Sequence, residues 1–200
     1  MQKKGYTLAI IGIHGSGKTT LGRKVADQMG SNYHEEIGRI LREDALAKSS
    51  DDHALNSQPE FDQKVIHAEL ERDLSSKSSR IVETWHPGNL AYAYERSPEI
   101  ASMYENTTRT IIKGMNQTVL VQPLRISMET ALARLSEPGS DDPKETCKFF
   151  SRVARLAEQL VERLGLVILE PIYTDELNKE ETLQVVIDNL ASYGISPSSS

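Results

Sequence analysis

Short apolar runs alternate along this chain with longer stretches in which apolar residues recur every three or four positions. That is the pattern of strands alternating with helices. Residues 7–13 predict a first strand, and Leu21, Val25 and Met29 follow at helical spacing in a helix that opens near Lys18 and closes at Gly30. A short strand over 32–36 leads to a helix over 37–48. The polar stretch 49–58 reads as a loop, and Pro59 suits the opening of a helix that runs to about 76 with Phe61, Val65, Ala68 and Leu74 on one face. A third strand is expected over 80–85, ended by Pro87-Gly88, with helices at 90–94 and 99–113. The near-continuous apolar run 118–124 predicts a strand covered on both faces. A short helix over 128–135 precedes the turn-rich stretch 137–144, expected to be a mobile loop. Phe149, Val153, Leu156, Leu160 and Leu164 mark a long amphipathic helix, followed by a fifth strand over 166–170, a helix over 179–192 and a frayed tail from 196.

Five strands separated by helices predict a parallel sheet with helices on both faces, because parallel strands need long crossovers. The expected architecture is a three-layer α/β fold, with residues 1–195 forming one domain. Apolar positions between 59 and 113 leave room for a homodimer face. The net charge of −6, from 23 Lys and Arg against 29 Asp and Glu, opposes the general phosphate attraction of nucleic-acid binding. Any phosphate site must therefore be local. Cys147 stands alone, so no internal disulfide or cysteine-based zinc site is expected, and a reducing cytoplasm fits. Lys3 and Lys4 before a short apolar run lack the cleavage site of a secretory signal. No segment approaches the roughly 20 apolar residues of a membrane span.

One motif adds chemistry. Gly12-Ile13-His14-Gly15-Ser16-Gly17-Lys18-Thr19 matches G-x-x-x-x-G-K-[ST] between a predicted strand and a predicted helix. Glycines let backbone N–H groups curl around phosphate oxygens, and the helix N-terminus adds partial positive charge. Lys18 is expected to reach the β- and γ-phosphates of ATP, and Thr19 to ligate Mg²⁺; Ser16 belongs to the cofactor-binding loop, His14 contributes only backbone and Thr20 makes a weaker contact. The Asp-x-x-Gly and Asn-Lys-x-Asp motifs of GTPases are absent, since Asn178-Lys179-Glu180-Glu181 lacks the aspartate and lies too late. The motif leaves two classes open: transfer of the γ-phosphate to an acceptor, or slow hydrolysis by a regulatory or assembly ATPase.

At these residues the chain resembles the P-loop nucleoside and nucleotide kinase group, which includes thymidylate-kinase-like, deoxynucleoside-kinase-like and ribosylnicotinamide-kinase-like enzymes. The resemblance spans residues 5–192 as an order of elements and is specific only at the phosphate loop. It implies the P-loop NTPase fold and an ATP- and Mg²⁺-dependent transfer to a nucleoside or nucleoside monophosphate. It also implies a carboxylate at the end of the second strand, where Glu35 and Glu36 stand, to contact the acceptor, with Arg39 clamping it. Glu83, ending the third strand, is the expected partner of Mg²⁺, although Thr84 stands where the group often has arginine. Trp85, His86, Asn89 and Tyr92 could stack on and hydrogen-bond a ring. Arg134 and Arg152 bracket a lid over about 134–152 and would close over the transferred group, with Lys148 and Arg155 nearby on the same helix face. Arg109 and Lys113 precede the fourth strand where an acceptor phosphate sometimes binds, and Tyr173 marks the loop expected around adenine.

Overall fold

The computed structural model describes residues 5–48, 59–76, 78–135 and 142–197. Its elements are β1 (Tyr6–Gly12), α1 (Lys18–Met29), β2 (Asn32–His34), α2 (Ile37–Lys48), α3 (Pro59–Ser75), β3 (Arg80–Glu83), α4 (Trp85–Arg96) and α5 (Pro98–Gly114). Then come β4 (Thr118–Arg125), α6 (Met128–Leu135), α7 (Pro143–Arg163), β5 (Val167–Ile168), β6 (Ile172–Tyr173) and α8 (Lys179–Ser192). The strands pair in parallel in the order β2-β3-β1-β4-β5, with β6 also on β4. This is the expected three-layer α/β architecture.

Alternation along β1 divides the core. Ala9 and Ile11 face a layer of α3, α4, α5 and α7, where Ile66, Leu90, Val153 and Leu160 are buried. Leu8 and Ile10 face α1 and α8, through Leu21, Val25, Val186 and Leu190. Both faces of the central strands are thereby covered, and the parallel pairing puts their C-terminal ends along one edge, where open α/β sheets bind ligands.

Three elements depart from expectation. Pro87-Gly88 does not end a strand but lies in the first turn of α4, which opens at Trp85. A first-turn proline costs nothing there because its missing N–H has no intrahelical acceptor. Glycine is required at 88, since a Cβ would sit 2.4 Å from the Thr84 methyl carbon. The fifth strand is broken into β5 and β6 around Pro171, which has no N–H to give a ladder. On α3, Leu74 is 69% exposed, because the buried stripe is Asp62, Ile66, Glu69 and Asp73, held by buried polar partners. The expected loop at 49–58 and most of that at 137–144 lie outside the described residues; Asp142 caps α7, its side chain accepting from the N–H groups of Lys144 and Glu145.

Candidate active site

The phosphate loop joins β1 to α1 at the C-terminal edge of the sheet. Gly12, Gly15 and Gly17 all have positive φ, and a Cβ at Gly12 would lie 2.5 Å from the Leu124 carbonyl oxygen, so the loop's path needs glycine. Lys18 is buried, and its Nζ donates to the carbonyls of Gly12 (2.9 Å) and Ile13 (3.0 Å). Burial pulls its pKa below the ordinary lysine value, opposed by Glu36 and Glu83. Ser16 Oγ is buried with no partner, while the Ser16 carbonyl accepts from Thr174 Oγ1 at 2.9 Å. A charged, desolvated ammonium and an orphaned hydroxyl inside a ring of glycines suit a phosphate chain.

Thr19 and Glu83 meet beside this loop. The Thr19 hydroxyl donates to Glu83 Oε2 at 3.1 Å, and the fully buried Glu83 carboxylate also accepts from the Tyr33 hydroxyl. Burial, and then the Glu83 bond, raise the Tyr33 pKa, so its proton stays on the phenol. Arg39 approaches Thr19 Oγ1 (3.3 Å) and Glu83 (3.5 Å). Two hard oxygens at the edge of a phosphate loop fit Mg²⁺, which takes few protein ligands alongside phosphates and water. Among the described residues no cluster of three His, Cys, Asp or Glu offers an all-protein metal cage.

The adjacent glutamates after β2 separate as neighbours on a strand end should. Glu35 turns outward to an ion pair with exposed Arg23. Glu36 turns inward: its side chain is 12% exposed, it accepts from Thr84 Oγ1 at 3.0 Å and it pairs with Arg42 at 3.3 Å. Burial favours its neutral form, but Lys18, Arg42, the Thr84 hydroxyl and Arg39 outweigh burial and hold its pKa below the ordinary value. A cluster of rings packs against the phosphate loop at His14. His14 stacks on Phe150 (5.9 Å between centroids), and Phe150 contacts Phe149 and Tyr92. Burial and then the Glu36 charge raise the Tyr92 pKa.

On the other flank, a cavity of about 280 Å³ is lined by Gly15, Gly17, Thr20, Arg134, Thr174 and Leu177, among others. Arg134 Nη1 donates to the Gly15 carbonyl at 2.5 Å, tying the end of α6 to the loop. Tyr173 is not part of that lining; 44% exposed, it accepts from Arg125 Nη1 (3.3 Å) and lines a separate groove with Arg155. Its neighbour Thr174 lines the 280 Å³ cavity instead.

Trp85, His86 and Asn89 do not reach the cleft surface. Trp85 is 0% exposed, with its indole N–H on Asp73; His86 Nε2 lies 2.6 Å from Asp73, and Asn89 donates to Glu69 at 3.0 Å. Arg152 is held on the outer face of α7 by Glu95 at 3.0 Å, beside Phe149. Lys148 pairs with Glu145. Arg109 donates to the Arg163 carbonyl at the end of α7 (3.1 Å), which puts it at the opposite edge of the sheet from the phosphate loop. Sequence reasoning did not assign Tyr33, Arg42, Phe150, Thr174 or Leu177. The Arg39/Arg42 spacing, i and i+3 on one helix, was the available signal for Arg42.

The "AAA domain" family model AAA_28 matches residues 7–163. A search of the curated proteins found no match. Among solved structures, YorR protein in complex with phosphorylated GDP, from Bacillus subtilis, superposes with a TM-score of 0.61 at 16% identity, covering 93% of this chain and 98% of that one. Deoxyadenosine kinase from M. mycoides with bound dCTP gives 0.63 at 14%, covering 93% and 99%. NadR protein in complex with NR gives 0.63 at 18%, covering 98% of this chain and 53% of that one, so this chain spans about half of NadR. These similarities establish a P-loop α/β fold.

Proposed function

The chain belongs to the AAA domain family, and from that premise we propose that it is an ATP- and Mg²⁺-dependent phosphotransferase that moves the γ-phosphate to a hydroxyl of a small acceptor. The acceptor is a nucleoside in preference to a nucleoside monophosphate. The observation that carries this reading is Glu36: a buried carboxylate kept ionised chiefly by Lys18 and Arg42, hydrogen-bonded to Thr84 and absent from the lining of the 280 Å³ cavity. Hydrolysis needs only water and the loop, whereas a buried, ionised carboxylate outside that cavity suits an organic alcohol.

In this mechanism Lys18 and the backbone N–H groups of the loop hold the phosphates, and the Arg134 cavity holds the base. Thr19 and Glu83 would hold Mg²⁺, which neutralises phosphate charge when bound. Glu36 accepts the proton of the acceptor hydroxyl, and the rings of Tyr92 and Phe150 position the acceptor and exclude water. Support for a neutral acceptor comes from two arginines on that side. Arg42 engages Glu36 and Arg96 engages Asp62. Their charge is already matched by carboxylates of the chain itself.

The test is acceptor dependence. ADP release from Mg-ATP should rise severalfold on adding a pool of nucleosides, and Glu83→Gln should remove that rise. Slow release, indifferent to every acceptor and to monophosphates, would favour a regulatory ATPase instead.

A further inference from the structure

The residues that leave the cleft surface form a buried polar network beneath it. Asp73 Oδ1 accepts from Arg80 Nη2 (2.5 Å) and Trp85 Nε1 (3.2 Å), and Oδ2 lies 2.6 Å from His86 Nε2. One turn earlier on α3, Glu69 accepts from Asn89 Nδ2 (3.0 Å) and pairs with Arg72. Arg72 Nη1 in turn donates to the Glu35 carbonyl at 2.9 Å, one residue before Glu36. Side chains of one helical turn therefore grip both strand ends that carry the cleft carboxylates.

The backbone shows what the grip holds. Between β3 and α4, Thr84 has φ 62° and ψ −56°, and Trp85 has φ 47°. Two consecutive non-glycine residues at positive φ are strained and persist only where surroundings over-determine them. The sheet fixes the first, since the Thr84 N–H donates to the Ile10 carbonyl at 2.9 Å. Asp73 fixes the second, by binding the side chains of Trp85 and His86. The turn so held points Glu83 at Thr19 and the Thr84 hydroxyl at Glu36.

We propose that the Glu69-Arg72-Asp73 row of α3 is a positioning device for phosphoryl transfer, setting Glu36 and Glu83 relative to each other through the Glu35 carbonyl and the strained Thr84-Trp85 corner. It rests on the phosphotransferase reading of the cleft. Stability alone is a poor reason for the row: buried ion pairs are often no more stabilising than apolar residues of equal volume. None of the three residues touches substrate; they act through the groups that do.

The sole tryptophan of the chain sits in this network, so its emission reports the corner directly. The experiment compares Asp73→Asn and His86→Ala with Val186→Ala, a core change on the opposite face of the sheet. Trp85 emission, affinity for a fluorescent ATP analogue, kcat for transfer and folded fraction are measured for each. Expected for both network variants are an altered Trp85 emission, nucleotide affinity within about twofold of wild type, and kcat lowered at least about tenfold per folded molecule, since ångström displacements cost up to 10²-fold. Val186→Ala should keep both emission and kcat. A kcat in the network variants that tracks folded fraction as in Val186→Ala would overturn the proposal. If Asp73→Asn does not fold, His86→Ala decides, because Arg80 and Trp85 still partner Asp73. If wild type shows no Lys18-dependent transfer, the phosphotransferase reading is what fails. The same comparison is then judged on ATP hydrolysis, with the same two outcomes.

Discussion

Replacing Glu36 by glutamine removes one negative charge with almost no change of shape. The carboxylate has Arg42 at 3.3 Å and the Thr84 hydroxyl at 3.0 Å, and Lys18 is the strongest of the charges that keep it ionised. The glutamine oxygen can still accept from Thr84. Arg42 loses an ion partner, but at 32% exposure its charge is shared with water. Buried Lys18 also loses its strongest opposing charge, so the stability cost should reach about 1–3 kcal/mol, above the range of solvent-screened pairs. The chemical cost is larger. A positioned general base contributes about 10²–10⁴-fold, or roughly 2.7–5.4 kcal/mol of barrier. Glu36→Gln should lower kcat for transfer by that factor, while nucleotide affinity, read by calorimetric titration, changes by less than about threefold because the loop and Arg134 are untouched. A kcat within about threefold of wild type at saturating acceptor would refute the assignment of Glu36 as the base.

Three further outcomes follow from particular contacts. Gly22→Ala places a Cβ 2.8 Å from Tyr33 Cε2, so Tyr33 must move off Glu83; stability measured in urea should fall by about 1–3 kcal/mol and the Mg²⁺ concentration for half-maximal activity should rise. Arg134→Ala removes the bond to the Gly15 carbonyl and one wall of the base cavity; the KM for ATP should rise about tenfold, near 1.4 kcal/mol, with the acceptor KM unchanged. Against burial, Asp73 is held below the ordinary carboxylate range chiefly by His86 and Arg80, and Glu36 by Lys18 and Arg42. Folded pKa values below the unfolded ones mean that the unfolded chain takes up protons first as pH falls, so this stability is full above the ordinary carboxylate range and lost below it. Urea midpoints between pH 7 and pH 3 should drop for wild type and drop less for Glu36→Gln; parallel curves would contradict the linkage.

Element order was legible because most elements carry a clean period. The apolar run of β4 and the Leu21, Val25, Met29 stripe of α1 need no tertiary information to be read. The β3–α4 corner was not legible, because Pro87-Gly88 has the same local preference for ending a strand as for opening a helix, and only the packing of Gly88 against Thr84 selects the second. The phosphate loop could be read because its chemistry lies in eight consecutive residues. The acceptor side draws on β2, α2, β3, α4 and α7, and a single chain gives no sign of which faces converge. Trp85, His86 and Asn89 follow β3 at the ligand-binding edge, yet the helix they open turns them toward Asp73 and Glu69. The Glu35/Glu36 pair needed the direction of the strand end, and Arg23 and Arg42 now mark which glutamate faces which way.

The most direct test is to incubate the protein with Mg-ATP and a mixture of nucleosides, nucleoside monophosphates and other small metabolites, and to follow products by mass spectrometry alongside Lys18→Ala. The account predicts a phosphorylated nucleoside that appears with wild type and disappears with Lys18→Ala. ADP and free phosphate formed at one rate with or without every acceptor would contradict it.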